Sequence, residues 1–327
     1  MTFSKYLREI ARGERGARDL SEEEAHQLFA AMLDGGVPDL ELGGILIAMR
    51  VKTEALSEML GFYAAAADRG HALRPPKANV RPIVVPTYNG ARHQPNLLPL
   101  LVLILQRFGV PVLLHGTLEG QGRVATAYIL RELGILPQAT LGAAQKGLDE
   151  EGVAFVPTAT IAPGLANLMA LRGRLGLRNS AHTIVKLIDP FAGEGVRLTS
   201  ASHPAYLIKV REFLQVMGFT ALLLRSTEGE AFANPKRRPQ IEFFREGGHE
   251  VLFEAEVGPI RTLPGLPESI EASATAEWIR QAMAGKVPIP YPIVNQLACC
   301  LYACGYTDDM NQAKAIAAVE TGSLAAA

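Results

Sequence analysis

The sequence is short of several features that would each point to a function. Neither sign of charge is in excess: 32 Lys and Arg against 33 Asp and Glu leave a formal net charge of -1. That excludes a uniformly basic nucleic-acid coat and equally an acidic disordered tail, so an electrostatic partner must be met by charge segregated along the chain. Aromatic residues are scarce at 6%, whereas 48% of the 327 residues are hydrophobic, enough for one large core or two modest ones. Two are expected. Long apolar runs are absent: the longest, Leu97 to Leu105, contains Pro99 and ends at Gln106-Arg107, far short of the ~20 residues of a spanning helix. Only three cysteines occur, Cys299, Cys300 and Cys304, without the paired spacing or histidine partners of a zinc site; they read as small buried hydrophobes in a reducing compartment. The opening residues, Met1 to Gly16, carry charges with no apolar core behind them, so no secretory signal is expected. These points predict a soluble, cytoplasmic protein with no membrane partner.

The first seventy residues read as helices. Ser21 precedes Glu22, Glu23 and Glu24, an N-cap with acidic residues in the first turn, and apolar residues recur at helical spacing through Leu33. A second helix, Leu40 to Arg50, has a stripe of Leu42, Ile45, Leu46 and Met49. A third runs from about Ser57 to Arg69 and includes four consecutive alanines, Ala64 to Ala67. Pro75, Pro76 and Pro82 mark a linker over Leu73 to Pro82. Beyond it, short apolar runs (Pro82 to Val85, Val110 to Leu114, Gly152 to Val156, Ala221 to Leu224) alternate with helical stretches (Leu97 to Phe108, Gly122 to Gly134, Ala205 to Met217). This predicts an α/β fold: a small all-helical N-terminal domain over 1–72, and a larger α/β domain over 73–327 with a mainly parallel central sheet flanked by helices. A helical pair over about 162–189 interrupts the alternation and is expected to rejoin the first domain.

At this point the residues resemble the anthranilate phosphoribosyltransferase family, a glycosyl transferase family 3 group whose relatives include the pyrimidine nucleoside phosphorylases. Leu20 to Phe62 is similar to that family's helical domain almost position for position. The Gly-rich pyrophosphate loop falls on Pro86-Thr87-Tyr88-Asn89-Gly90 and the Lys-His-Gly-Asn element on Leu114-His115-Gly116-Thr117, with Asn96 matching a later asparagine and the following serine falling around Gln121-Gly122. The resemblance implies a ligand pocket at Thr87, Asn89, Asn96, His115, Gly116 and Arg172, the last matching the arginine that meets the carboxylate of anthranilate. The departures are informative. Pro86 removes a donor, Tyr88 and Asn89 put side chains where glycine admits pyrophosphate, and Leu114 replaces the phosphate-binding lysine. Ala231 and Phe232 fall near the magnesium-holding Asp-Glu pair, with Glu228 and Glu230 as substitutes to be weighed. The pocket therefore reads as degenerate, with no catalytic residue assigned and no cofactor or metal, magnesium included, expected.

From Thr160 to Arg245 twelve cations face six anions, a local balance of +6 that leaves -7 for the rest. Lys236-Arg237-Arg238, between Pro235 and Pro239, reads as a rigid exposed loop suited to phosphate contact. A YbiB-type subgroup of the same fold is similar in its degenerate site, in Leu223 to Glu230, and in Asn234-Pro235 followed by basic residues. That resemblance implies a homodimer, paired through the N-terminal helical domain, that binds DNA or RNA with little sequence preference; no base-reading motif is visible. The cations assigned to that role are Arg172, Arg174, Arg178, Lys209, Arg211, Arg225, Lys236, Arg237 and Arg238. The alternative is a glycosyl or phosphoribosyl transferase with a changed donor and an acidic acceptor bound by Arg172.

Overall fold

A computed structural model describes residues 3–13, 16–120, 122–258 and 265–322. Gln121, at the position expected for the family's serine, lies outside the described residues. In chain order the elements are α1 (Ser4–Ile10), α2 (Glu22–Leu33), α3 (Asp39–Lys52), α4 (Leu56–Ala67), β1 (Ile83–Thr87), α5 (Leu98–Arg107), β2 (Val112–Gly116), α6 (Thr126–Glu132), α7 (Leu141–Glu151) and β3 (Val153–Pro157). Next come α8 (Thr158–Ile161), α9 (Pro163–Ala170), α10 (Arg172–Leu175), α11 (Ala181–Ile184), β4 (Val196–Ala201), α12 (Pro204–Met217) and β5 (Ala221–Arg225). The chain closes with β6 (Ile241–Arg245), β7 (Gly248–Phe253), α13 (Ala272–Met283), α14 (Tyr291–Ala303) and α15 (Met310–Glu320). Two units result: a helical one of residues 1–72 and 158–190, and an α/β one of residues 73–157 and 191–327.

In the helical unit, Ser21 and Glu24 form a reciprocal capping box: Ser21 Oγ accepts from Glu24 N at 3.2 Å, and Glu24 accepts from Ser21 N at 2.9 Å. The apolar face of α2 packs on α4, with Phe29 stacked on Phe62 at 4.5 Å between ring centroids. Glu58 is buried, and its carboxylate accepts from Leu20 N, Ala55 N and Lys52 Nζ, so the buried charge is fully matched. The returning segment is tied in by Ser180 Oγ donating to Glu54 at 2.6 Å, and Asn179 Nδ2 donating to the Leu168 carbonyl at 2.7 Å.

The α/β unit is built on one seven-stranded sheet of order β3-β2-β1-β4-β5-β6-β7. The first five strands in that order are parallel, while β6 and β7 are antiparallel additions. Strand order reverses between β1 and β4, the point where open α/β sheets place ligands beyond the strands' carboxyl ends. Helices α5, α6, α13 and α14 cover one large apolar cluster that includes Leu101, Phe155, Leu222 and Ile293. Cys299, Cys300 and Cys304 are buried free thiols, and burial pushes the Cys304 thiol up to about 11.

Three strands are absent from the sequence pattern. In β4 the apolar run is broken by Arg197, which is buried, 2% exposed, with its guanidinium 3.7 Å over the Phe219 ring. Arg197 therefore adds nothing to a cationic surface, although it belongs to the basic segment. The hairpin of β6 and β7 turns at Glu246-Gly247, both with positive φ. A Glu-Gly-Gly run between apolar stretches is its sequence signal.

Candidate functional site

The loop after β1 is where the sequence places a degenerate ligand pocket, and its backbone donors account for themselves completely. Asn89 N and Gly90 N each donate to Glu230 Oε1 at 2.7 Å. Ala91 N donates to the Val124 carbonyl at 2.9 Å. Arg92 N donates to Glu228 Oε2 at 2.7 Å, His93 N to Glu228 Oε1 at 2.9 Å, and Gln94 N to the same oxygen at 2.9 Å. Every N–H from residue 89 to residue 94 is thus paired within the protein. Beyond Pro86 the loop keeps a convergent set of amide donors, and the chain's own carboxylates fill it.

Those carboxylates come from the two-residue turn after β5. Thr227 and Glu230 exchange backbone hydrogen bonds at 3.1 and 3.0 Å, and Glu228 (φ 55°) and Gly229 (φ 98°) form the corner. Gly229 is required twice: by its positive φ, and because a Cβ there would lie 2.3 Å from Asn89 Nδ2. Glu230 is fully buried, and its Oε2 accepts from Thr87 Oγ1 at 2.5 Å. Thr87 Oγ1 lies 2.6 Å from Thr126 Oγ1, which accepts from Asn96 Nδ2 at 2.7 Å. Each hydroxyl has one proton, so the chain runs Asn96 to Thr126 to Thr87 to Glu230 with both hydroxyl protons used. Arg123 closes the rim, its Nη1 3.9 Å from Glu228 Oε2 and 3.3 Å from the Glu228 carbonyl.

The expected pocket residues of the α/β unit are therefore brought together, as buried structure. Thr87 and Asn89 are 4% exposed, and Asn96 and His115 are fully buried. His115 Nδ1 is hydrogen-bonded to the Tyr88 hydroxyl, Nε2 has no partner, and burial pushes the imidazole down to about 3. Gly116 is needed because a Cβ would lie 1.8 Å from the Thr87 carbonyl oxygen. Tyr88 is 8% exposed, so its ring packs inside rather than offering a stacking surface.

The positions of the expected metal carboxylates, Ala231 and Phe232, sit in the apolar core. Glu228 and Glu230 do not fit a hard cation. Their oxygens face N–H and O–H groups whose positive ends point at the place where a cation would have to sit. Among the described residues no group of three or more His, Cys, Asp or Glu side chains could hold a metal ion.

The cations fall into two sets. In the helical unit, Arg172 and Arg178 are half-buried and Arg174 is exposed, its Nη1 3.5 Å from Asp39 Oδ2. Burial, then the positive charges of Arg178 and Arg172, push the half-buried His182 down to about 3, with Lys186 adding to the effect. Sequence reasoning missed both His182 and Lys186 as members of this cluster; their helical spacing from Arg178 was the available signal. In the α/β unit, Arg225 is exposed at the end of β5 and Lys209 is half-buried on α12.

The remaining assignments need correction. Arg211 is held in a bidentate pair by buried Glu242, at 2.6 and 2.9 Å, and His249 Nε2 lies 2.7 Å from the same carboxylate. The partner raises the Arg211 pKa, so this guanidinium is committed to the fold. Lys236 to Arg238 is not an exposed loop; all three residues are half-buried. Arg237 Nε is buried without a hydrogen-bond partner. Arg238 Nε donates to the Glu254 carbonyl at 3.2 Å and its guanidinium lies 4.9 Å from the Phe253 ring centre. The Asn234 carbonyl and side chain turn the segment inward by accepting from Arg237 N and Lys236 N.

A helical bundle followed by a mostly parallel sheet, with a loop and turn meeting at the strands' carboxyl ends, defines a protein on the scaffold of the anthranilate phosphoribosyltransferases. Residues 4–70 match the helical bundle domain of a glycosyl transferase family, and the chain belongs to the anthranilate phosphoribosyltransferase-like family. YbiB of Escherichia coli K12, an uncharacterized protein, is 47% identical over 306 residues, which is 93% of this chain and 95% of YbiB. The anthranilate phosphoribosyltransferase of Thermus thermophilus is 25% identical over 304 residues, 91% of this chain and 90% of that enzyme. A crystal structure of the Thermus thermophilus enzyme superposes with a TM-score of 0.77 at 21% identity, covering 97% of this chain and 94% of that one. The Saccharomyces cerevisiae enzyme in complex with PRPP and Mg gives 0.73 at 12% identity over 98% and 93%, a likeness of fold.

Proposed function

We propose that this chain is a nucleic-acid-binding protein with little sequence preference, working as a cytoplasmic homodimer on a phosphoribosyltransferase-like scaffold that no longer transfers. The observation that carries this reading is the gathering of Arg172, Arg178 and Lys186 around the half-buried His182 of the helical unit. Positive charge gathered at one place suits a phosphate backbone. The self-filled loop argues against a sugar-phosphate donor, because the Asn89, Gly90 and Ala91 amides at the family's pyrophosphate position are already bonded to buried Glu230 or to the Val124 carbonyl. The reading needs no cofactor, and Glu228 and Glu230, whose oxygens accept from amides and a hydroxyl, argue against magnesium.

The dimer is supported by α3, whose outer face exposes Leu40 (86%), Ile47 (36%) and Val51 (76%). Gly43 lies in the same stripe, with nothing within 4 Å of where its Cβ would be, so a second helix can approach closely. Among the described residues no helix is long and apolar enough to cross a membrane. A transferase with an acidic acceptor is a second reading, favoured by the half-buried Arg172 alone.

The test is a salt titration of binding to two unrelated fluorescent oligonucleotides, single- and double-stranded, with phosphoribosyl pyrophosphate as competitor. Similar affinities, a steep salt slope and no competition are expected. Magnesium-dependent turnover of phosphoribosyl pyrophosphate with anthranilate, or absence of oligonucleotide binding, would overturn the reading.

A further inference from the structure

Glu228 and Glu230 stand at the same turn but in different surroundings. Glu230 is fully buried. The Glu228 side chain is 13% exposed and sits at the mouth of the loop, where three consecutive amides converge on it in four hydrogen bonds of 2.7 to 3.2 Å. Arg123 stands 3.9 Å from its Oε2, and the exposed Arg92 guanidinium donates to His93 Nε2 at 3.0 Å beside it. The turn type does not require this contact: the Glu246-Gly247 turn has the same pair of positive φ values, yet the Glu246 side chain is 85% exposed.

We propose that the amides of Arg92, His93 and Gln94, with Arg123, form a cradle for a singly charged oxoanion, and that Glu228 occupies it in place of a backbone phosphate. The cradle follows from the geometry; the phosphate's identity as nucleic-acid backbone rests on the function proposed above. Consecutive amides pointing at one spot, beside a guanidinium, offer donors and no acceptor, which is the chemistry of an anion nest. A carboxylate and a phosphodiester each present two oxygens sharing one negative charge, so one can replace the other. The neighbouring buried carboxylate of Glu230 selects a monoanion over pyrophosphate or a dianionic phosphate by like-charge repulsion. Displacement needs only rotation of the Glu228 side chain. The turn itself stays closed by the Thr227–Glu230 backbone pair and by Thr227 Oγ1 donating to the Phe232 carbonyl at 2.7 Å. Bound phosphate would then meet Arg92, His93 and Arg123 at the carboxyl end of β1, beside the strand-order reversal.

The test compares Glu228→Gly, which suits the positive φ and empties the cradle, with Glu119→Gln, which removes one negative charge from an exposed residue that is not a member of the cradle. Glu228→Gly should bind a fluorescent oligonucleotide about tenfold more tightly at low salt, with a log–log salt slope steeper by about one phosphate contact. Glu119→Gln should change affinity by less than about threefold, as for one exposed charge, with the slope unaltered. In the Glu228→Gly protein the amide resonances of Arg92, His93 and Gln94 should shift on titration with the oligonucleotide and with inorganic phosphate near pH 6. A neutral methylphosphonate oligonucleotide should leave them in place. If Glu228→Gly reduces folding, Glu228→Gln, which keeps the shape and drops the charge, should move affinity in the same direction by a smaller factor. Equal behaviour of the Glu228 and Glu119 variants, with the three amides unmoved by either anion, overturns the cradle. Shifts with inorganic phosphate but no oligonucleotide binding by any variant uphold the cradle and overturn the nucleic-acid reading instead.

Discussion

Thr87 Oγ1 lies 2.5 Å from Glu230 Oε2, joining the last residue of β1 to the turn after β5 inside the protein. The two residues are 143 positions apart. This contact and the Asn89 and Gly90 amides bonded to the same carboxylate make the loop and the turn one internal joint of the α/β unit.

The joint has a stability consequence. Glu230→Gln replaces an acceptor that three donors share with a group that is itself half donor. It should lower stability by about 3 kcal/mol, read as a drop in the urea midpoint, because its single oxygen cannot accept from both the backbone amides and the Thr87 hydroxyl, so a buried donor is left without an acceptor. Thr87→Val, which removes one link at constant volume, should cost about 1 kcal/mol. A Glu230→Gln protein as stable as the parent would contradict the arrangement.

Acid should weaken the fold through two histidines. His115 and His182 titrate near 3 in the folded protein, against 6.5 for an ordinary imidazole. Between those values the unfolded chain binds more protons, so stability falls as pH drops through this window and is restored above about 6.5. At pH 5 each histidine should contribute a loss of about 2 kcal/mol. Urea midpoints at pH 7 and pH 5, repeated with His115→Asn, check this; the variant should show about half the parent's decline.

Charge reversal separates the cations around His182 from Arg211. Arg172→Glu with Arg178→Glu should weaken binding of unrelated oligonucleotides alike and flatten the log–log salt slope by about two contacts. Arg211→Ala should instead destabilise by about 2 kcal/mol, because it strips the main partner from buried Glu242. Its salt slope should be unchanged, measured on protein that remains folded.

The exposed stripe of α3 predicts an assembly. Leu40→Glu with Val51→Glu places charges on residues 86% and 76% exposed, so the folded subunit should tolerate both. Light scattering should show a dimer for the parent and a monomer for the variant; an unaltered mass would place the interface elsewhere.

Much of the architecture was readable from local pattern. The Ser21–Glu24 capping box, the alanine run of α4, and the apolar runs of β1, β2, β3 and β5 follow rules that operate within a few residues. Strand β4 escaped because Arg197 interrupts its apolar run, and only the Phe219 ring in the folded protein makes that arginine a core residue. The basic run at 236–238 misled for a related reason. Three cations in sequence say nothing of direction, and Asn234 together with Glu254 and Phe253 turns them inward.

Leu114, Ala231 and Phe232 were likewise visible as departures from the family's lysine and carboxylates, since residue type is read directly. What took their place was not. Glu228 and Glu230 read as two acidic residues near the position of the family's metal motif, and Pro86 to Gly90 as a loop spoiled for pyrophosphate. Residue types and near-neighbour spacing settled the helices and most strands, because propensity and capping are local. Tertiary folding decided that carboxylates and amides some 140 residues apart would satisfy one another, because a buried donor must find an acceptor and only the closed sheet brings this one within reach.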